Sequence, residues 1–151
     1  SGNYLNNVLA LKEAQNLGAV DAILLNHQGH VTEGTTNNVF MVKSATLYTS
    51  PLSVGILAGI TRSRTLDLAR ELKLPIKEVT FTKNDLFKAD EVFLSSSLKE
   101  ILPVTTLLDA DGTRYRIGNG QPGPTTKRIH EEFKNFIHQY CQMHAQKCLY
   151  I

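Results

Sequence analysis

Tryptophan is absent from this 151-residue chain, and cysteine and methionine occur twice each. Cys141 and Cys148 both lie late in the chain, in neither a C-x-x-C nor a zinc spacing. No disulfide framework or metal set is read from them, and two thiols on one late helix point to a reducing, cytoplasmic setting. Charge of one sign is lacking too. The net charge is +2 and the basic residues are scattered, so there is no basic stripe of the kind nucleic acid requires. No apolar run approaches the roughly 20 residues that span a bilayer, and no signal peptide is visible. The five histidines, 27, 30, 130, 138 and 144, form no ligand cluster. The last three are expected on a solvated helix. Internal repeats and low-complexity segments are missing as well.

What is present is the balance of a globular domain, with 42% hydrophobic and 20% charged residues. The length suits one domain with a real core. The chain opens "SGNYLNNVLALKEAQNLG" without an initiator methionine, which reads as the middle of a longer protein.

A first helix is expected from Tyr4 to Leu17. Asn3 is its N-cap, Leu5, Val8, Leu9 and Leu17 lie near one face, and Gly18 stops it. "AVDAILLN" and "HVTEG" read as a hairpin about "HQGH", with Gly29 supplying the permissive backbone. "NVFMVK" and "ATLYTS" form a second hairpin around Lys43-Ser44. "PLSVGILAG" is a loop, and Thr61 opens a helix with Leu66, Ala69 and Leu72 inward. "PIKEVTFT" alternates as a strand, "KNDLFKA" is a short helix, and "DEVFLSSS" is a strand ending in hydroxyls. "ILPVTTLLDADGTRYRI" reads as a hairpin turning at Asp111-Gly112. After the "GNGQPGP" loop, a last helix buries Ile129, Phe133, Phe136, Ile137 and Tyr140. Hairpins interspersed with helices argue an α+β fold with a mixed, mostly antiparallel sheet.

Four stretches carry candidate chemistry. Gly118–Gly123 matches G-x-G-x-x-G, but a dinucleotide site needs a following βα unit and a second strand; it reads as loop punctuation. "ILAGITR", Ile56–Arg62, places Gly59 and Thr61 at a helix start. Free amides there suit an anion, although Thr is also a common N-cap. Ser95, Ser96 and Ser97 end a strand, suiting a phosphate or carboxylate, or simply a Ser-rich turn. Glu33 is a half-buried carboxylate among small polar residues, and it needs a positive partner or donors. That partner is either structural or the N–H of a protonated ring. One ligand satisfies all three of the latter signals: a phosphate at one end and a pyridinium nitrogen at the other, as in pyridoxal 5'-phosphate.

The run from Glu33 through Asn38-Val39-Phe40 and Leu47-Tyr48-Thr49 to Leu57-Ala58-Gly59-Ile60-Thr61-Arg62 resembles the class IV (fold-type IV) pyridoxal-phosphate aminotransferases. That family includes the branched-chain and D-amino acid aminotransferases and aminodeoxychorismate lyase. "ADEVFLSSSLKEILPV" and "GPTTKRI" extend the resemblance over nearly the whole chain. It implies the large C-terminal domain of the D-amino acid aminotransferase-like fold, α+β with a barrel-like sheet and flanking helices, spanning 1–151. Glu33 would meet the ring nitrogen, Leu57 a ring face, and Tyr4 the ring hydroxyl. Ile60, Thr61, Ser96 and Ser97 would hold the phosphate, and the backbone at Ser97-Leu98 the substrate carboxylate. Leu98 departs from the small or hydroxylated residue expected there.

The family's Schiff-base lysine would fall just before Ser1, and none of Lys12, Lys43 or Lys73 is in the matching place. The smaller N-terminal domain is expected to be missing, by a trypsin-like cut or by design of the piece. This stretch alone is therefore expected to be inactive. Its parent is expected to be a homodimer moving an amino group from an amino acid to a 2-oxo acid, with branched-chain substrates favoured from "GNYL" and "GPTTKRI". D-amino acid transfer and the lyase stand as alternatives. A noncatalytic ligand-binding or assembly domain is the alternative from another class.

Overall fold

The computed structural model describes residues 4–144, so the Asn3 cap, the surroundings of Ser1 and Cys148 lie outside the described residues. The elements run α1 (Tyr4–Asn16), β1 (Ile23–Leu25), β2 (Val31–Gly34), β3 (Asn38–Lys43), β4 (Thr46–Thr49), a 3-10 turn (Leu52–Val54) and α2 (Ile60–Glu71). Then come β5 (Ile76–Glu78), α3 (Lys83–Phe87), β6 (Glu91–Ser96), β7 (Glu100–Val104), β8 (Thr106–Leu108), β9 (Arg114–Arg116) and α4 (Pro124–His144). The result is a mixed, mostly antiparallel α+β fold, as the pattern of hairpins and helices predicts.

The centre is β3. It pairs antiparallel with β6 from Asn38 to Val42 and with β4 from Phe40 to Lys43. Asn38 also pairs with Glu33 of β2, so β2 joins the edge opposite β6. Among the described strands, only β5 runs parallel, beside β4. Successive residues of a strand face opposite sides, and β3 separates two cores accordingly. Phe40, Val42 and Leu47 join Phe93, Ile101, Leu66, Ala69, Ile129 and Phe133 under α2 and α4. Phe40 and Phe93 stack with centroids 5.0 Å apart. Val39 and Met41 join Val31, Phe81, Leu86, Leu94 and Ile117 on the other side, under α3 and the β8–β9 hairpin.

Several expectations need correcting, each for a physical reason. The β3–β4 turn centres on Ser44 and Ala45, at φ 48° and 59°, one residue later than expected. Lys43 is still paired, with Thr46, and Asp90 stabilises the strained turn by accepting the Ser44 N–H at 2.8 Å. The "PIKEVTFT" strand stops at Glu78 because Phe81 turns into the second core, where its carbonyl accepts the Val31 N–H at 2.8 Å. "ILPVTTLLDADGTRYRI" divides in two: β7 belongs to the main sheet, and β8 pairs with β9 separately. Pro103 in β7 has no N–H to offer a further strand, which suits an edge. Thr61 is not the first residue of α2; Gly59 is the N-cap, with extended backbone and no side-chain cap bond. In α4, Ile129 and Phe133 are buried, but Ile137 and Tyr140 are exposed. Phe136 is half-buried under the Arg64 guanidinium, 4.1 Å from its ring centroid. Leu5, Val8 and Leu9 on α1 are exposed as well, as is Leu17, just past the end of the helix at Asn16.

Candidate functional site

Three polar residues stand abreast at one end of the sheet. Asn38 lies opposite Glu33 on one side and Ser95 on the other. Directly opposed residues share a face, and residues two apart in a regularly paired strand such as β3 or β6 do too. The row therefore lies on the face of Phe40 and Phe93, toward α2. Polar groups on an otherwise apolar face need partners, and the segment leading into α2 supplies them. The Glu33 carboxylate accepts the Leu57 N–H at 3.0 Å, and the Asn38 amide donates to the Leu57 carbonyl at 3.0 Å. Both polar groups of the Leu57 backbone are thus held by the sheet.

Two residues on, Gly59 approaches so closely that a Cβ there would lie 2.4 Å from Asn38 Oδ1. Its φ of −64° is open to any residue, so the requirement for glycine is steric. The glycine caps α2 without a side chain, and the amides of Ile60 and Thr61 open the first turn, where a helix has no acceptors of its own. Arg62, buried in the same turn, is fixed by the Ser50 carbonyl at 3.0 Å and Glu78 at 2.6 Å. Ser50 in turn donates its hydroxyl to the Val31 carbonyl at 2.7 Å, linking the helix mouth back to the strand of Glu33.

The expected residues are placed as follows. Glu33 meets Leu57, and Ile60 and Thr61 open α2 just after it. Leu57 and Ile60 are 73% and 85% exposed, two large apolar side chains open to solvent beside polar groups. Ser96 ends β6, and its hydroxyl accepts the Lys99 N–H at 3.1 Å. Ser97 and Leu98 form the turn beyond, with Leu98 94% exposed. Tyr4, at the start of α1, is exposed; nearby on the same helix, Asn7 donates to the Thr35 carbonyl at 2.9 Å, tying α1 to the β2–β3 turn. Among the described residues, no group of three or more His, Cys, Asp or Glu is arranged to hold a metal. No described helix is long and apolar enough to cross a membrane.

Pyridoxal phosphate fits what is present. Ser95 is 1% exposed, and among the described residues its buried Oγ has no hydrogen-bond partner. An uncapped helix mouth, an unused hydroxyl and a carboxylate are gathered with exposed apolar side chains. That set suits a ligand with an anionic end, an apolar ring and a basic nitrogen. Sequence reasoning named Ser95 with its two neighbouring serines as a possible anion site but gave Asn38 no role of its own. The detectable signal was parity: both stand where Phe40 and Phe93 dictate an inward side chain.

The family described as "Amino-transferase class IV" matches residues 1–107. D-alanine aminotransferase of Bacillus licheniformis is 43% identical over 135 residues, 89% of this chain and 46% of the relative. The branched-chain-amino-acid aminotransferase of Escherichia coli strain K12 is 39% identical over 132 residues, 87% of this chain and 41% of the relative. Among solved structures, the pyridoxal-phosphate form of the branched-chain amino acid aminotransferase from Thermobaculum terrenum superposes with a TM-score of 0.84 at 35% identity, covering 91% of this chain and 43% of that one. An Escherichia coli branched-chain amino acid aminotransferase gives 0.82 at 38% identity, covering 89% and 43%. The chain therefore spans less than half the length of the relatives it matches.

Proposed function

Because the chain belongs to the class IV aminotransferase family, we propose that it is the cofactor-holding domain of a pyridoxal-phosphate aminotransferase. When bound, the cofactor supplies an electron sink for the carbanion formed at the substrate's α-carbon. Glu33 holds the proton on the ring nitrogen, and Leu57 lies against the ring. Ile60 and Thr61 take the phosphate through backbone amides at the start of α2, with Ser96 and Ser97 beside them. Tyr4 reaches the ring hydroxyl, and the backbone at Ser97-Leu98 receives the substrate carboxylate. The observation that carries this reading is the grip on Leu57. One backbone unit connects the Glu33 carboxylate to the segment that enters the uncapped mouth of α2, which supports reading the acid and the helix start as two ends of one site.

The amine that would act as base is assigned to a lysine outside residues 1–151, so this stretch alone is expected to catalyse no transamination. Branched-chain transfer to a 2-oxo acid is the favoured reaction. The relatives at 39% identity carry that name, but the D-alanine enzyme at 43% keeps D-amino acids a live second reading. A homodimer is part of the proposal, with the exposed apolar face of α1 available for contact.

The test uses the whole protein. It is expected to bind pyridoxal 5'-phosphate and to convert L-leucine with 2-oxoglutarate. Glu33→Gln should retain the cofactor while lowering turnover by at least tenfold. Conversion of D-alanine or of aminodeoxychorismate in place of L-leucine would reassign the substrate. Failure to bind the cofactor would remove the proposal altogether.

A further inference from the structure

The chain between Glu33 and its partner Asn38 is four residues, Gly34 at the end of β2 and the turn Thr35-Thr36-Asn37. It lacks the Asn-Gly type of chemistry that makes a hairpin turn stable by itself. Its stability comes from elsewhere. Asp21, in the connection between α1 and β1, has a side chain only 4% exposed. One oxygen accepts the Thr35 hydroxyl at 2.6 Å and faces the Thr35 N–H at 3.4 Å. The other accepts the Asn37 amide at 2.6 Å. Its own neighbour Ala22 donates at 2.8 Å, and Lys99, in the turn after Ser97-Leu98, brings Nζ to 4.0 Å. The turn has no slack. The Gly34 N–H donates to the Asn37 carbonyl at 2.7 Å, and a Cβ on Gly34 would lie 2.0 Å from Asn37 Oδ1.

A nearly dry carboxylate is retained only where donors satisfy it. Here every donor it meets, apart from Ala22, belongs to a turn bordering the candidate site. We infer that Asp21 is a positioning residue: it sets the β2–β3 turn, and through that turn the placement of Glu33 and Asn38 against Leu57. This rests on the site reading proposed above. Asp21 touches neither cofactor nor substrate; it acts on the end of the site where the ring nitrogen is held, while the first turn of α2 has its own anchor in Arg62, held by Ser50 and Glu78.

The helix mouth and the acid can be read separately in the whole protein. Pyridoxamine 5'-phosphate, which needs no covalent attachment, reports on both ends, and inorganic phosphate reports on the helix mouth. Asp21→Ala is expected to weaken pyridoxamine 5'-phosphate at least tenfold and Asp21→Asn at least threefold. Both should leave inorganic phosphate affinity within twofold. The pH profile of the bound ring's absorbance should move toward that of the free compound. A core variant matched for loss of thermal stability, Ile129→Val, should move neither affinity nor profile. Wild-type affinity and profile in Asp21→Asn would overturn the inference, as would a parallel fall in phosphate affinity, which would indicate general loosening. If Asp21→Ala does not fold, Asp21→Asn decides. If wild type binds no pyridoxamine 5'-phosphate, the functional proposal fails and this one with it. If wild type binds and both variants match it, this one fails alone.

Discussion

Gly59 and Asn38 form the tightest constraint of the site. A methyl group at 59 has nowhere to go unless Asn38 moves and releases the Leu57 carbonyl. Gly59→Ala is expected to destabilise the protein by about 1–3 kcal/mol, the usual cost of overpacking. In an Asn38→Ala background the added methyl has room, so the two losses should be clearly less than additive in denaturant unfolding. Core positions behave more simply: Phe93→Ala, at a fully buried stacked ring, should cost about 3–5 kcal/mol. At this scale the sequence was partly legible. Glu33, Thr61 and the serines announce themselves because charge and hydroxyls are unexpected beside apolar strands. Asp21 does not, because "AVDAILL" shows one acid among apolar residues, and the donors that need it are 14 and 16 residues away.

Helices here are started by side chains from neighbouring segments as much as by their own. The α3 start is local: one Asp85 oxygen accepts both the N–H and the hydroxyl of Thr82, each at 2.8 Å. Those two bonds hold the Asp85 carboxyl below its ordinary 3.8. A depressed carboxyl adds stability that is complete above its unfolded value and is lost as pH falls through the folded one. Asp85→Ala should therefore cost about 1 kcal/mol near neutral pH. The gap from wild type should hold down to pH 3.8 and close only below it, as read by unfolding at a series of pH values. The α4 start is distant: Glu91 of β6 accepts the Thr125 and Thr126 N–H groups at 3.0 and 2.7 Å and the Thr126 hydroxyl at 2.6 Å. Glu91→Ala should cost at least about 1.5–3 kcal/mol, the range for hydrogen bonds to a charged group. Local signals made α3 and the body of α4 readable. The splitting of β7 from β8 was not, since it depends on which strand β6 accepts as a neighbour.

Across the whole molecule, the two cores and the central β3 follow from alternation, and the class of fold was readable from it. The coverage of α1 was not. Its apolar residues share a helix face, yet Leu5, Val8 and Leu9 are open to solvent, and periodicity cannot say what meets a face. An exposed apolar stripe of this kind favours association. Replacing Val8 and Leu9 by lysine is expected to change folding stability by less than about 0.5 kcal/mol per site. It should shift sedimentation of this chain toward the monomer. The end-on row of Glu33, Asn38 and Ser95 has a consequence of its own. Because Phe40 shares the Asn38 side of β3 and Phe93 the Ser95 side of β6, sliding either strand by a single place would turn its aromatic ring outward and its polar group away from α2 together. Misalignment of either strand and loss of part of the polar row are therefore one event, so a molecule with the row intact has already been proofread for shape.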